Sequence, residues 1–214
     1  MPDREVLTVL DLVYYQFAKI LARSRLGVPG VDVARKTHFG FAKDTFRDLK
    51  AGRKLWSEVA EGNGADLDKA CAYCSSRENL ALDYLAPPSL RINERCATCP
   101  TLQGSANQAW ACANCRARKS TRGLYEFYHF LQPDDDRFYR RIPPAVEKKY
   151  LKTIHDCLRC ADVLGQKDMD GDGELTVLDL DYALRTSGKL PPPTSTESIQ
   201  RIVVQEPPRK PDEA

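Results

Sequence analysis

The chain has 214 residues and 24.1 kDa, with 32 basic against 30 acidic side chains and a net charge of +2. That length suits one medium domain or two small ones, and the balanced charge argues against wholesale coating of nucleic acid. No run reaches the roughly 18 consecutive apolar residues that a membrane span needs, and the six prolines after residue 189 set the last 25 residues apart from a compact body.

In chain order, residues 4–23 place Val6, Val9, Leu10, Val13, Phe17, Ile20 and Leu21 at helical spacing behind a capping Asp3. This predicts one long helix, or a short strand at "LTV" leading into one, ended by "GVPG" at 27–30. The segment lacks the basic start and cleavage site of a signal peptide and reads as a buried helix. A second helix is predicted over 42–60 from Phe46, Leu49, Leu55, Trp56 and Val59. A third is predicted over 65–85, stopped by "APP" at 86–88.

Residues 91–121 read as a metal-organised knuckle region. "LYEFYHFL" at 124–131 is an aromatic helix, and Pro143 and Pro144 precede a helical pattern over 145–164 that carries Val146, Tyr150, Ile154, Leu158 and Ala161 on one face. A last helix follows over 178–184. From residue 190 the chain has no sustained period and reads as an extended tail.

All eight cysteines fall into four CxxC pairs, Cys71/Cys74, Cys96/Cys99, Cys112/Cys115 and Cys157/Cys160. Such regular pairing is the arithmetic of metal sites rather than of a disulfide framework. It predicts two structural zinc ions and a reducing compartment. The stretch "CATCPTLQGSANQAWACANC", CxxC with twelve residues and a second CxxC, resembles a zinc ribbon or treble-clef knuckle. That spacing favours nested sites: an inner one from Cys96, Cys99, Cys112 and Cys115, and an outer one from Cys71, Cys74, Cys157 and Cys160. Crossed pairing, first with third and second with fourth, is the alternative. Either way four thiolates fill each ion's coordination sphere and leave no position open for catalysis.

Residues 168–179, "DMDGDGELTVLD", resemble an EF-hand calcium loop, with aspartate at the twelfth position as in the dockerin variant. The resemblance makes Asp168, Asp170, Asp172, Glu174 (through its carbonyl) and Asp179 ligands of one Ca2+ or Mg2+, with Gly173 at the turn. The exit half of this loop recurs near the start, as "LTVLDL" at 7–12 and 175–180. If the N-terminal copy is a degenerate partner, its "LTV" pairs with residues 175–177.

"RARKSTR" at 116–122 offers Arg116, Arg118, Lys119 and Arg122 as a phosphate-contacting edge. His38, His129 and His155 are scattered, though His155 lies close enough to Cys157 to replace a cysteine ligand. No GxSxG, P-loop or GxGxxG sequence is present.

These readings combine into a mostly α protein: an N-terminal helical region (1–64), a cysteine-rich zinc region (65–165), an EF-hand-like unit (145–189) and the tail (190–214). The expected role is that of a non-catalytic accessory or scaffold subunit of a larger assembly, contacted partly through the tail, where "IQRIVVQ" can add a strand to a partner's sheet. A mitochondrial location is expected, with cytoplasm or nucleus as alternatives. A nucleic-acid-binding zinc protein such as a ribosomal component is the second reading, and a calcium-regulated adaptor the third.

Overall fold

The computed structural model describes residues 4–27, 34–57, 69–88 and 100–186, and within these the chain is mostly helical. Helix α1 (Val9–Leu26) begins where Thr8, in extended backbone, accepts the Asp11 N–H at 3.2 Å. Asp11 reciprocates by accepting the Leu7 N–H at 3.0 Å. This is a capping-box arrangement that satisfies donors left over at a helix start. Two further donors, the N–H groups of Val9 and Leu10, reach the carbonyls of Gln166 and Leu164 at 2.8 and 2.9 Å. The helix is thus docked by its first turn onto the segment that precedes the acidic loop.

Helix α2 (Arg35–Lys50) covers α1 with Ala42, Phe46 and Leu49, and Phe46 meets Tyr15 edge-on at 5.6 Å. Its C-terminal end is clamped to the start of the chain. Arg47 grips the Glu5 carboxylate, and Lys50 Nζ donates to Asp11 Oδ2 and to the Glu5 carbonyl, each at 2.8 Å. The helix starts and stops earlier than the predicted 42–60, because Gly52, at φ +68°, turns the chain. Trp56 then folds back onto Phe17 and His155, at centroid distances of 4.8 and 4.5 Å.

Over the described residues 69–85 of the third predicted helix, no helix forms. Its cysteine pair sits in a tight turn, and residues beyond Asn79, itself at φ +48°, run as strand β1 (Leu80–Tyr84). The short helix α3 (Pro100–Gln103) and a 3₁₀ turn (Ser105–Asn107) lead to strand β2 (Gln108–Cys112). The two strands pair antiparallel, with Leu80 opposite Cys112 and Tyr84 opposite Gln108. Buried Asn107 fastens this ribbon to the body: its side chain donates to the Ala86 and Leu102 carbonyls and accepts the Ala86 N–H.

Helix α4 (Ala113–Lys119) follows β2 directly, then come α5 (Leu124–Leu131), a 3₁₀ turn (Phe138–Arg141), α6 (Pro144–Cys160) and α7 (Leu178–Thr186). The aromatic helix forms over the predicted residues, and α6 starts at Pro144 as the proline-first rule requires. One apolar cluster joins Val13, Phe17 and Ile20 of α1, Tyr125 and Phe127 of α5, Tyr150 and Ile154 of α6, and Leu180 of α7. No helix among the described residues is long and apolar enough to cross a membrane. The predicted tail and the Cys96/Cys99 pair lie outside the described residues.

Candidate metal centres

Cys71, Cys74, Cys112 and Cys115 come together with all four Sγ atoms within 4.8 Å of one another. The first pair lies on a turn closed by Cys71 N–H to Ser76 O (2.7 Å) and Ser75 N–H to Cys71 O (2.8 Å). Ser75 takes φ +62°, which lets the chain reverse around the thiols. The Ala72 N–H donates to the Trp110 carbonyl at 2.8 Å and so fixes the turn to β2. The second pair is delivered by the junction of β2 and α4. Cys112 caps α4, accepting the Cys115 N–H at Sγ, and Cys115 sits in the helix's first turn.

The geometry suits a tetrahedral ion. Cys74 Sγ and Cys112 Sγ are 3.7 Å apart, and zinc–sulfur bonds of about 2.3 Å place ligand sulfurs about 3.8 Å apart. A disulfide needs about 2.05 Å, and none of the four thiols is in one. At one of the four positions the backbone favours the thiolate. Against the effect of burial, backbone N–H donors from Cys112, Tyr73 and Cys74 bring the Cys71 thiol down to about 7. Cys115 is pushed up instead, by burial and then by the neighbouring thiols. Four adjacent thiolates repel one another, and a divalent cation removes that penalty.

The grouping joins the first pair with the third, as in the crossed alternative, and does not follow the nested sites favoured by the inner spacing. The reason is the ribbon: Leu80 opposite Cys112 brings the turn before β1 over the end of β2. Cys157 is buried and Cys160 exposed near the end of α6. His155, 5% exposed, packs against Trp56 and Tyr14 rather than joining the thiols. Burial lowers its basicity.

In the acidic loop, oxygens of Asp168, Asp170 and Asp172 lie within 4.8 Å of one another. Each carboxylate is aimed by backbone donors. Asp168 accepts the N–H groups of Gly171 and Gly173, Asp170 that of Asp172, and Asp172 that of Glu174. Gly171 and Gly173, at φ +80° and +88°, supply the left-handed turns. The Asp170 carboxyl is pushed up to about 6 by burial and by Asp179, Asp172 and Asp168 around it. Asp179 stands outside the three-carboxylate cluster. It is fully buried and accepts the N–H groups of Met169 (2.8 Å) and Thr176 (2.6 Å). Glu174 is exposed.

The two "LTVLDL" copies share a task other than the pairing of their "LTV" segments. The Val9 and Leu10 N–H groups go to Gln166 and Leu164, not to residues 175–177. Thr176 and Asp179 start α7 much as Thr8 and Asp11 start α1, with the aspartate accepting a backbone N–H and the threonine hydroxyl accepting another. The repeat is a helix-start signal used twice.

The basic stretch after Cys115 is drawn inward. Lys119 is fully buried and donates to the Tyr84 carbonyl at 2.7 Å with Asp83 at 3.8 Å. Arg122 lies over the Phe130 ring at 4.3 Å and donates to the Arg118 carbonyl, while Arg118 flanks the same ring at 5.8 Å. Arg116 is half-buried. A buried carboxylate on α7 escaped the sequence reading. Asp181 of α7 accepts the Glu126 N–H at 2.7 Å and the Tyr150 hydroxyl, so one helix caps the start of another. A lone aspartate in an apolar helix gives no sign of which helix end it will face.

Within the described residues the fold and site define a mostly helical protein with a four-cysteine cluster and an aspartate triad, each able to hold a metal ion. Compared with protein-family models, curated proteins and solved structures, the chain matches none of them.

Proposed function

We propose that this chain is a non-catalytic accessory or scaffold subunit of a larger assembly, braced by zinc and by one Ca2+ or Mg2+. The observation that carries the reading is the closed set of four sulfur donors at Cys71, Cys74, Cys112 and Cys115. Four thiolates leave zinc no position for water or substrate, so the ion acts on folding and not on chemistry. The turn, two-stranded ribbon and helix that present these cysteines resemble a treble-clef arrangement. The crossed pairing leaves Cys96, Cys99, Cys157 and Cys160 to form a second zinc site. The aspartate triad of the EF-hand-like loop takes the divalent cation, while Asp179 braces the loop and the start of α7.

Thiolate ligation would suit a reducing compartment, and the location we propose is the mitochondrial matrix. The proline-rich tail supplies the contact with partner subunits. Lys119 is turned inward and Arg118 and Arg122 lie on Phe130, which weighs against the nucleic-acid reading. Native mass spectrometry of the protein isolated from fractionated cells tests the proposal. Metal-loaded chain within a stoichiometric complex from the matrix fraction, lost on deletion of residues 190–214, supports it. Monomeric chain free of metal contradicts it.

A further inference from the structure

A cleft of about 780 Å³ opens between α1, the first turns of α2 and the 3₁₀ turn before α6, away from both metal centres. Lys19, Arg23, Arg35, Arg137 and Arg140 line it, and none of its described lining residues is acidic. Among the described residues, none of the four arginines has an ion-pair partner within 4 Å. His38, 6% exposed, lines the same cleft, and its Nε2 has no hydrogen-bond partner among the described residues.

The cations crowd one another. Lys19 Nζ lies over the rings of Tyr15 and Tyr139, at 4.7 and 5.1 Å, which holds it in place between α1 and the 3₁₀ turn. Burial, partly offset by Glu147 and reinforced by Arg23 and Arg140, brings Lys19 down to about 8. Glu147, on α6, is the acidic group close to Lys19 and Arg23, and it is itself buried against Tyr125. A folded protein that holds five cations around one cavity stores a repulsion that a polyanion relieves.

We propose that this cleft binds a small molecule carrying two or more phosphate groups. A single monoanion leaves most of the charge uncompensated, whereas a di- or triphosphate matches several planar guanidinium forks at once. The volume lies within the usual range for small-molecule sites. The Lys19 ammonium and the half-buried Arg23 meet the inner phosphate, and Arg35, Arg137 and Arg140, all exposed at the rim, hold the outer ones.

Calorimetry on the full, zinc-loaded chain tests this with inorganic tripolyphosphate, adenosine triphosphate, citrate and a short single-stranded RNA as probes. The expected result is saturable binding of tripolyphosphate or adenosine triphosphate that weakens with salt and falls at least tenfold in Arg137→Gln/Arg140→Gln. Equal affinity for the two phosphates indicates recognition of phosphate alone, and tighter binding of the nucleotide adds a base contact; both support the proposal. Phosphate binding unchanged in the double variant points to chelation at the metal centres and overturns it. So does citrate binding as tightly as tripolyphosphate, RNA binding with neither small phosphate bound, or no binding at all. Melting temperature and zinc content of the double variant match those of the parent, since both arginines are exposed and remote from the thiols. Should the double variant fail to fold, Arg35→Gln, at the opposite rim, is measured against the same criteria.

Discussion

Cys74 Sγ and Cys112 Sγ lie 3.7 Å apart although 38 positions separate them in the chain. That distance is nearly twice a disulfide and close to the edge of a zinc–thiolate tetrahedron. It follows from two local facts: the turn at 71–76, reversed at Ser75, and a ribbon register that sets Leu80 opposite Cys112. An ion held at this point would join the turn, the ribbon and α4.

The start of α5 makes a sharp test of packing. A Cβ added at Gly123 overlaps the Asp181 carboxylate, whose oxygens take the Glu126 N–H and the Tyr150 hydroxyl. Gly123→Ala is expected to destabilise the protein by about 1–3 kcal/mol, the usual cost of overpacking a filled site. Urea denaturation measures it. Asp181→Asn, which keeps the shape, is the milder change.

Removing one ligand from the acidic loop separates metal binding from folding. In Asp170→Asn the amide oxygen still accepts the Asp172 N–H, but one of three clustered charges is gone. Calcium affinity by calorimetry is expected to fall at least tenfold. The fold stays intact, because Asp179 and Thr176 cap α7 independently of the triad. Unaltered affinity would place the cation elsewhere.

Glu147 gives the pH dependence a sign. Burial pushes its carboxyl up from 4.5 to about 7, with Arg23, Lys19 and the Tyr125 hydroxyl opposing. Between those two values the folded chain holds a proton that the unfolded chain releases. The stability this group contributes is therefore complete below about 4.5 and is lost as pH rises to about 7. In Glu147→Gln the Tyr125 hydroxyl keeps an acceptor and that loss disappears. Urea midpoints of the two proteins are expected to diverge as pH is raised through this window, in favour of the variant. A constant difference would mean that Glu147 titrates normally.

Periodicity revealed α1, α5, α6 and α7 because each buries a continuous apolar face, as with Val146, Tyr150, Ile154 and Leu158. It failed at 65–85. There "LALDY" owes its extended form to pairing with "QAWAC", a partner that spacing cannot reveal. The acidic loop was legible because its ligands are consecutive in the chain, and the triad forms as the spacing implies. Cysteine pairing was not, since the regular inner spacing carried no information about strand register. The basic cleft was hidden for the same reason: Lys19 and Arg23 sit one turn apart on an otherwise buried helix, and their companions arrive from Arg35 and residues 137–140. The repeated "LTVLDL" was visible, but its meaning as a helix start appeared only with the bonds of Thr8, Asp11, Thr176 and Asp179.

The central claim is that Cys71, Cys74, Cys112 and Cys115 hold one zinc together, and counting zinc by native mass spectrometry in Cys71→Ser, Cys112→Ser and the double variant tests it most directly. If the four share one ion, each single variant loses one zinc and the double variant loses no more than either. A double variant that loses two zinc ions, one for each substitution, would assign Cys71 and Cys112 to separate sites and contradict the account.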